Sequence, residues 1–243
     1  MVYKIKRDIG GGDTFQKVII DANRNLTVDE IRFETLVINF FYGSLGVSAT
    51  KGYTAGGTAS GLSTKNTIDD FPFASDANAS DVGNLNVAIG FQAGQSSESH
   101  GYSSGGSTGS AQNTIQKFPF SSDTNASDVG DLTQSNNMCV GQSSGTHGYT
   151  SGGSTSGNNT GLHSIIDKFP FSTDANATDV SDLTQARYLI AGSQSSATHG
   201  YTSGGYIVPD VNTIDKFPFS ADFKATDVGD LTQVRYGGAG VQG

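Results

Sequence analysis

The sequence predicts an all-β fold built from four copies of one four-stranded unit, and three observations carry that reading. The hexapeptide GYTAGG at 52–57 returns as GYSSGG at 101–106 and as GYTSGG at 148–153 and 200–205. Phe-Pro-Phe recurs at 71–73, 118–120, 169–171 and 217–219, and SDVGNL at 80–85 returns in closely related form at 127–132, 178–183 and 226–231. The composition agrees: 33 Gly, 35% hydrophobic and only 15% charged residues, with 14 Phe and 9 Tyr among 243 residues. A disordered chain carries more charge and fewer aromatics. Long amphipathic helices need more Leu, Glu, Lys and Arg than this chain has.

Residues 1–47 stand outside the repeat. Apolar, β-branched residues surround an Asn-rich turn at Asn23 to Asn25, and β-propensity favours a hairpin with strands 14–21 and 27–41. A short helix starting at Thr27, with Glu30 completing a capping box, is the alternative. Gly10 to Gly12 form a flexible stretch without the Lys-Ser/Thr of a phosphate loop.

The fourth repeat shows the expected order of strands. RYLIAGSQ (187–194) forms the first, and HGYTSGG (199–205) the second, closed by a Gly pair that suits positive φ. NTIDKFPF (212–219) forms the third. Ile214, Lys216 and Pro218 share one parity, and Asp215, Phe217 and Phe219 the other. ATDVGDLT (225–232) forms the fourth, bent at Gly229. The links SDANA, SDTNA, TDANA and SADFK between the last two strands read as tight Asx turns. Proline in the third strand removes a ladder donor and belongs at a strand end or an outer edge, which conflicts with a central strand position.

Four short strands per repeat of about 49 residues is the pattern of a β-propeller blade. Each repeat adds two Phe and one Tyr, rings that one sheet alone leaves exposed and neighbouring sheets bury. Burial of each contributes on the order of 2–3 kcal/mol. The C-terminal YGGAGVQG (236–243) matches the residues leading into QSS elsewhere, and VSATK (47–51) matches SSATH (195–199). This phase predicts a ring in which the last strand completes the first unit. Pairing with the termini of another copy stays open as a rival.

HGYTSGG, IDKFPF and ATDVGDLTQ together resemble the kelch-like repeats of structural proteins of tailed bacteriophages, notably those infecting marine cyanobacteria. The resemblance covers 48–243. The kelch pattern expects a Trp after the glycines, and this chain has none; Phe-Pro-Phe takes that packing role. The resemblance implies a virion component, made in the host cytoplasm: a fibre, an appendage or a capsid decoration. Residues 1–47 are then the anchor to other virion proteins, and 48–243 the displayed propeller. A host-surface glycan and further copies of the chain are the remaining partners to expect.

A formal net charge of −9 argues against non-specific nucleic-acid binding and against docking on anionic membranes. No apolar run reaches the ~20 residues of a membrane span. The N-terminus lacks the apolar core of a signal peptide. Cys139 is the single cysteine and forms no internal disulfide or zinc cluster.

Candidate chemistry is repetitive. His100, His147 and His199 precede Gly-Tyr, and converging on an axis they offer a metal or anion site. Lys51 breaks the set in the first repeat, and His163 stands apart. The turns at Asp76-Ala-Asn78-Ala-Ser80-Asp81, Asp123 to Asp128 and Asp174 to Asp179 place oxygen ligands at near-alternate positions, which suits calcium. They lack the downstream Glu of a strong calcium loop, and Lys224 replaces the Asn in the fourth copy, so Asx-turn chemistry is favoured. The sequons at Asn78, Asn125 and Asn176 belong to the same turns. No nucleophile elbow, metalloprotease helix or phosphate loop occurs. The departures from the repeat, Cys139, His163, Phe223 and Lys224, form no recognisable set. A polysaccharide lyase or hydrolase would need a unique carboxylate pair, and the repeats supply none. The expected protein is therefore not an enzyme and carries no cofactor.

Overall fold

Two glycine positions set the local geometry of every repeat. The first is the Gly of Gly-Tyr, which pairs across the ladder with the first Phe of Phe-Pro-Phe, as Gly148 with Phe169 and Gly200 with Phe217. A Cβ at Gly148 would lie 2.3 Å from the Phe169 ring, so only glycine lets that ring lie across the neighbouring strand. The second is the doublet: Gly152 and Gly153 have φ of +59° and +113°, left-handed backbone that glycine adopts without a Cβ penalty.

The structure is a computed structural model and describes residues 2–7, 14–20, 26–28, 50–156 and 160–241. The chain divides into two compact units, Met1–Leu45 and Gly46–Gly243. In the first, β1 (Val2–Arg7), β2 (Thr14–Ile20) and β3 (Leu26–Val28) form an antiparallel sheet in that order. The hairpin expected around the Asn-rich turn is present, with Val18 opposite Val28 and Ile20 opposite Leu26. Thr27 lies in a strand, which sets aside the helical alternative. The remainder of the expected 27–41 strand, Glu30 and Gly10 to Gly12 lie outside the described residues. Strand β1 was not expected. Its Val-Tyr-Lys-Ile-Lys-Arg run pairs along its whole length with β2.

In the second unit each repeat is one antiparallel sheet. Sheet 1 contains β4 (Lys51–Ala55), β5 (Thr67–Pro72) and β6 (Ser80–Asn84). Sheet 2 contains β7 (Ala93–Ser96), β8 (His100–Ser104), β9 (Gln112–Pro119) and β10 (Ser127–Asn136). Sheet 3 contains β11 (Val140–Ser143), β12 (His147–Ser151), β13 (Ile165–Pro170) and β14 (Thr178–Asp182). Sheet 4 contains β15 (Gly192–Ser195), β16 (His199–Gly205), β17 (Val211–Pro218) and β18 (Thr226–Asp230). Among the described residues there is no α-helix, only a 3₁₀ turn at Ser60–Leu62, and so no helix long and apolar enough to cross a membrane.

Strand position resolves the proline conflict. Pro72, Pro119, Pro170 and Pro218 are each the last residue of their strand. The Phe that follows resumes the pairing, with Phe171 N donating to Thr146 O at 2.9 Å and Phe219 N to Thr198 O at 2.9 Å. The bend at Gly229 is a bulge: the β17–β18 register slips between Ile214 and Asp215, and Gly229 has φ +145°. The first strand of repeat four begins at Gly192 rather than at Arg187. Leu189 takes a left-handed φ of +48°, as do Met138 (+54°) and Phe91 (+59°) at the same place in repeats three and two, and a β-ladder cannot run through such residues.

Among the described residues the buried apolar side chains form three clusters, one at each boundary between successive sheets. Ile68, Leu85 and Ile89 of repeat one meet Phe118 and Ala126. Tyr102, Ile115 and Leu132 meet Phe169 and Ala177. Tyr149, Ile166, Leu183 and Ile190 meet Phe217 and Ala225. Every boundary uses the same residue types, and each sheet touches its neighbours in sequence, the quasi-one-dimensional logic of repeat proteins. The result is a propeller-like series of sheets. Among the described residues no ladder joins the C-terminal stretch to β4, so sheet 1 shows three strands where the other sheets show four.

Candidate functional site

A repeating polar network fastens one sheet to the next. The Gln of Gln-Ser-Ser sits on the first strand of its sheet and points into the following one. Gln95 Nε2 donates to Tyr149 O at 2.9 Å and to Thr150 Oγ1 at 3.1 Å. Gln142 Nε2 donates to Ser193 Oγ at 3.0 Å, and its Oε1 accepts from Ser151 Oγ at 2.7 Å. These amides are almost fully buried, so leaving either unpaired would cost about 1–3 kcal/mol. The bonds therefore fix register as well as adding stability.

Carboxylates of the third strands do the same work. Asp167 accepts from Thr133 N at 3.0 Å and from Thr133 Oγ1 at 2.7 Å, across the boundary between sheets 2 and 3. Asp215 accepts from Thr184 N at 2.9 Å and Thr184 Oγ1 at 2.6 Å. Gln116 holds the equivalent place one boundary earlier, where its Oε1 accepts from Asn86 N at 2.6 Å. Burial holds the Asp167 carboxyl above its ordinary pKa, partly offset by the Thr133 bonds. Asp215 has a second partner in Arg187, whose Nη2 lies 2.9 Å from Oδ2, both side chains being fully buried. Desolvation lowers the Arg187 pKa and the Asp215 charge opposes that shift. Arg187 also donates to Thr213 O at 3.2 Å and Thr202 Oγ1 at 2.9 Å. Removing one member of such a pair strands the other, a loss of about 3–5 kcal/mol.

The histidines do not form a metal set. Each opens the second strand of its own sheet opposite the proline. Its Nδ1 is tied to the hydroxyl before it: Ser99, Thr146 and Thr198, each at 2.8 Å. Burial lowers the pKa of His100 and His147. Lys51, in the same place in sheet 1, pairs with Asp70. The local Asp bonds lie just past the expected turns, in the fourth strands: Asp81, Asp128 and Asp227 accept from the amide two residues on, at 3.1, 3.2 and 3.0 Å. Asn125 and Asn176 instead accept from Asn84 N and Asp131 N of the preceding sheet, both at 3.0 Å. Their oxygens are committed to sheet-to-sheet bonds, and among the described residues no group of His, Cys, Asp or Glu is gathered for a metal. Cys139 is buried, its thiol pushed up to about 12 by desolvation. The ring nitrogens of His163 are buried and meet no hydrogen-bond partner among the described residues, and desolvation by burial brings its pKa down to about 4.

Two features are concave or aromatic enough to hold a ligand. A trough of about 900 Å³ is lined by residues of β4, β7, β8, β11 and β15, among them Lys51, Tyr53, Gln95, Glu98, Ser143 and Ser195. It offers hydroxyls, amides and the aromatic side chains of Tyr53, Tyr102, Phe118 and Phe120, a mixed lining that can meet both the hydroxyls and the apolar faces of a ligand. The second feature is a tyrosine array. Tyr206 packs edge-on against Tyr188 at 5.4 Å and against Tyr236 at 5.1 Å. Tyr236 is half exposed. Repeats two and three carry Ser107 and Ser154 where Tyr206 stands, so the array departs from the repeat, and the sequence reading overlooked it. Comparing it with the serines of the earlier repeats at that phase would have exposed it. No known protein-family pattern matches the chain, and no curated protein matches it either.

Proposed function

We propose that this protein is a non-enzymatic structural component of a tailed-phage particle, a fibre, appendage or capsid decoration. It is held to other virion proteins through residues 1–47 and presents a kelch-like propeller made by the four repeats. In this reading a C-terminal stretch supplies the strand that sheet 1 lacks. The observation that carries the proposal is the use made of the buried polar and ionisable groups. Gln95, Gln142, Asp167 and Asp215 are all engaged in bonds from one sheet to the next, and Arg187, in the link between β14 and β15, is held by Asp215. Side chains locked in cohesion make a scaffold, and a scaffold that carries its load sheet by sheet suits a particle surface. The motif set HGYTSGG, IDKFPF and ATDVGDLTQ supplies the link to phage virions. The test compares the full chain with a 48–243 fragment in particles assembled in the host. The fragment is expected to fold, with a β circular-dichroism spectrum and a cooperative melt, yet to be missing from purified particles. Normal incorporation of the fragment would refute the anchor.

The tyrosine array favours a second reading, a glycan- or receptor-binding module. Stepped aromatic faces beside polar groups suit sugar rings, and departures from a repeat are where a repeat protein specialises. Glycan-array binding by the full chain that is lost in Tyr236→Ala would support it. No binding at millimolar sugar would discard it.

A further inference from the structure

Sheets 1 and 4 each present a face without a neighbour among the described residues, and the two faces are complementary halves of an interface that the chain builds three times internally. At each internal boundary the earlier sheet supplies a tyrosine and the later sheet its Phe pair. Tyr53 stacks on Phe120 at 4.7 Å, Tyr102 on Phe171 at 4.8 Å and Tyr149 on Phe219 at 4.8 Å, with interplanar angles of 25°, 25° and 24°. The later sheet's turn also docks by its backbone. Ala126 N, Ala177 N and Ala225 N donate to Asn84 O, Asp131 O and Asp182 O at 2.8, 2.8 and 2.9 Å. Lysines close the outer edge, Lys117 onto Asp174 and Lys168 onto Asp222.

The end faces hold the same parts unjoined. Sheet 4 carries Tyr201, Lys216 and Val228 in the earlier-sheet positions, and Val228 is 47% exposed. Its counterparts Val82, Val129 and Val180 pack against the three internal clusters. Sheet 1 carries Phe71, Phe73 and Asp76 in the later-sheet positions. Phe71 is 38% exposed, against 5%, 1% and 2% for Phe118, Phe169 and Phe217.

Sheet 4 does not close onto sheet 1 of its own chain. Uniform stacking geometry means that each sheet is related to the next by one fixed step. If four such steps completed a circle, Tyr201 would stack on Phe73. Instead Phe73 is 58% exposed, and among the described residues its ring meets Phe71 while that of Tyr201 meets His199. Another sheet must follow sheet 4, and the backbone has already begun one. Gly237 N donates to Leu189 O at 2.9 Å, just as Leu189 N donates to Met138 O at 3.0 Å and Met138 N to Phe91 O at 2.9 Å. A Cβ on Gly240 would touch Ser193 and Gln194 of β15, so the stretch lies where the first strand of a fifth sheet starts. The available sheet with a free Phe face is sheet 1 of a second copy.

We propose that two copies of this chain join head to tail in one closed ring, sheet 4 of each seated on sheet 1 of the other. The C-terminal stretch of each copy runs along the free edge of β4 in its partner and fills the trough there, a strand addition. A head-to-tail contact of this kind closes when the rotation between copies returns to its start. The inference rests on the propeller reading of the four sheets and is independent of the virion role.

The test is light scattering coupled to gel filtration on the full chain, with small-angle X-ray scattering on the same peak. The expected mass is twice the 25.2 kDa of the chain, with the scattering profile of a ring. Phe71→Ser with Phe73→Ser removes one half of the interface, and Tyr201→Ser with Val228→Asp removes the other. These side chains are wholly or partly exposed, and each variant is expected to stay folded as a monomer. Mixing the two variants leaves one intact interface and should give a one-to-one dimer. Lys216→Glu and Asp76→Lys should each weaken the dimer a few-fold, and both in one chain should restore it, a result that misfolding would not produce. A wild-type monomer would overturn the proposal, and scattering from that monomer as a closed ring would leave the propeller reading standing. Open filaments, or a dimer indifferent to every variant, would overturn it as well.

Discussion

At the scale of single residues, the most exacting requirement is the glycine under the phenylalanine ring. A methyl group at Gly148 would sit 2.3 Å from Phe169, a ring that is 1% exposed and held on both sides. Gly148→Ala should therefore destabilise the fold by about 1–3 kcal/mol, the usual cost of overpacking. Gly52→Ala makes the same clash with Phe71, but within one chain that ring is 38% exposed and, under conditions that keep the chain monomeric, can swing away. Its cost should be the smaller of the two, and urea midpoints of the pair of variants check the order. His163 sets a pH dependence. Its folded pKa of about 4 lies below the ordinary value of 6.5, so between these values the unfolded state binds more protons. Stability contributed by neutral His163 is complete above pH 6.5 and is lost as the pH falls toward 4. His163→Phe should flatten that part of the curve, which urea midpoints at pH 7.5 and 5.5 will show. Neither the glycine's purpose nor the isolation of the imidazole was legible beforehand, because both depend on which ring or void lies across the strand. The part played by Asp167 and Asp215 was hidden for a related reason: the sequence shows repeated carboxylates, and only the structure shows that they fasten one sheet to the next.

At the scale of elements, the strands were legible and their ends were less so. The second, third and fourth strands of repeat four fall within a residue or two of the expected ranges, since alternation, the Gly doublet and the Asx turn each mark a boundary. The first strand starts five residues late. The run from Arg187 to Ala191 reads as extended, but Leu189 is left-handed, a conformation that side-chain type does not announce. Phe91 in the same role is 39% exposed with φ +59°, so little packing offsets its backbone strain. Phe91→Asn should stabilise the protein by about 0.5–1 kcal/mol, because Asn tolerates this region better. Thermal unfolding of the variant measures it. Gly237, at the same place in the C-terminal stretch, shows the unstrained solution.

At the scale of the whole repeat unit, the number of sheets was readable from the period, but the rotation between them was not. That angle is a property of the Tyr–Phe stack and the amide network, and no spacing in the sequence encodes it. Cohesion is correspondingly uneven. Sheets 2 and 3 are packed on both faces, whereas sheets 1 and 4 each lack a neighbour on one face among the described residues. Local opening should follow that order. Under conditions that keep the chain monomeric, hydrogen exchange should be slowest in β8, β9, β12 and β13, and faster in β5 and β18. Uniform protection across the four sheets would contradict the sheet-by-sheet account. Paired copies should protect β5 and β18 as well.

The chain contains one thiol, Cys139, placed at the seam between sheets 2 and 3 with its sulfur 3.9 Å from Ser104 O. Desolvation keeps it protonated, and therefore unreactive, for as long as the seam is shut. A colorimetric disulfide reagent added to the native protein consequently has a single target, and that target is reachable only during a breach of the middle seam. The rate of colour development is an internal stopwatch for how often that breach occurs, with no engineered label needed.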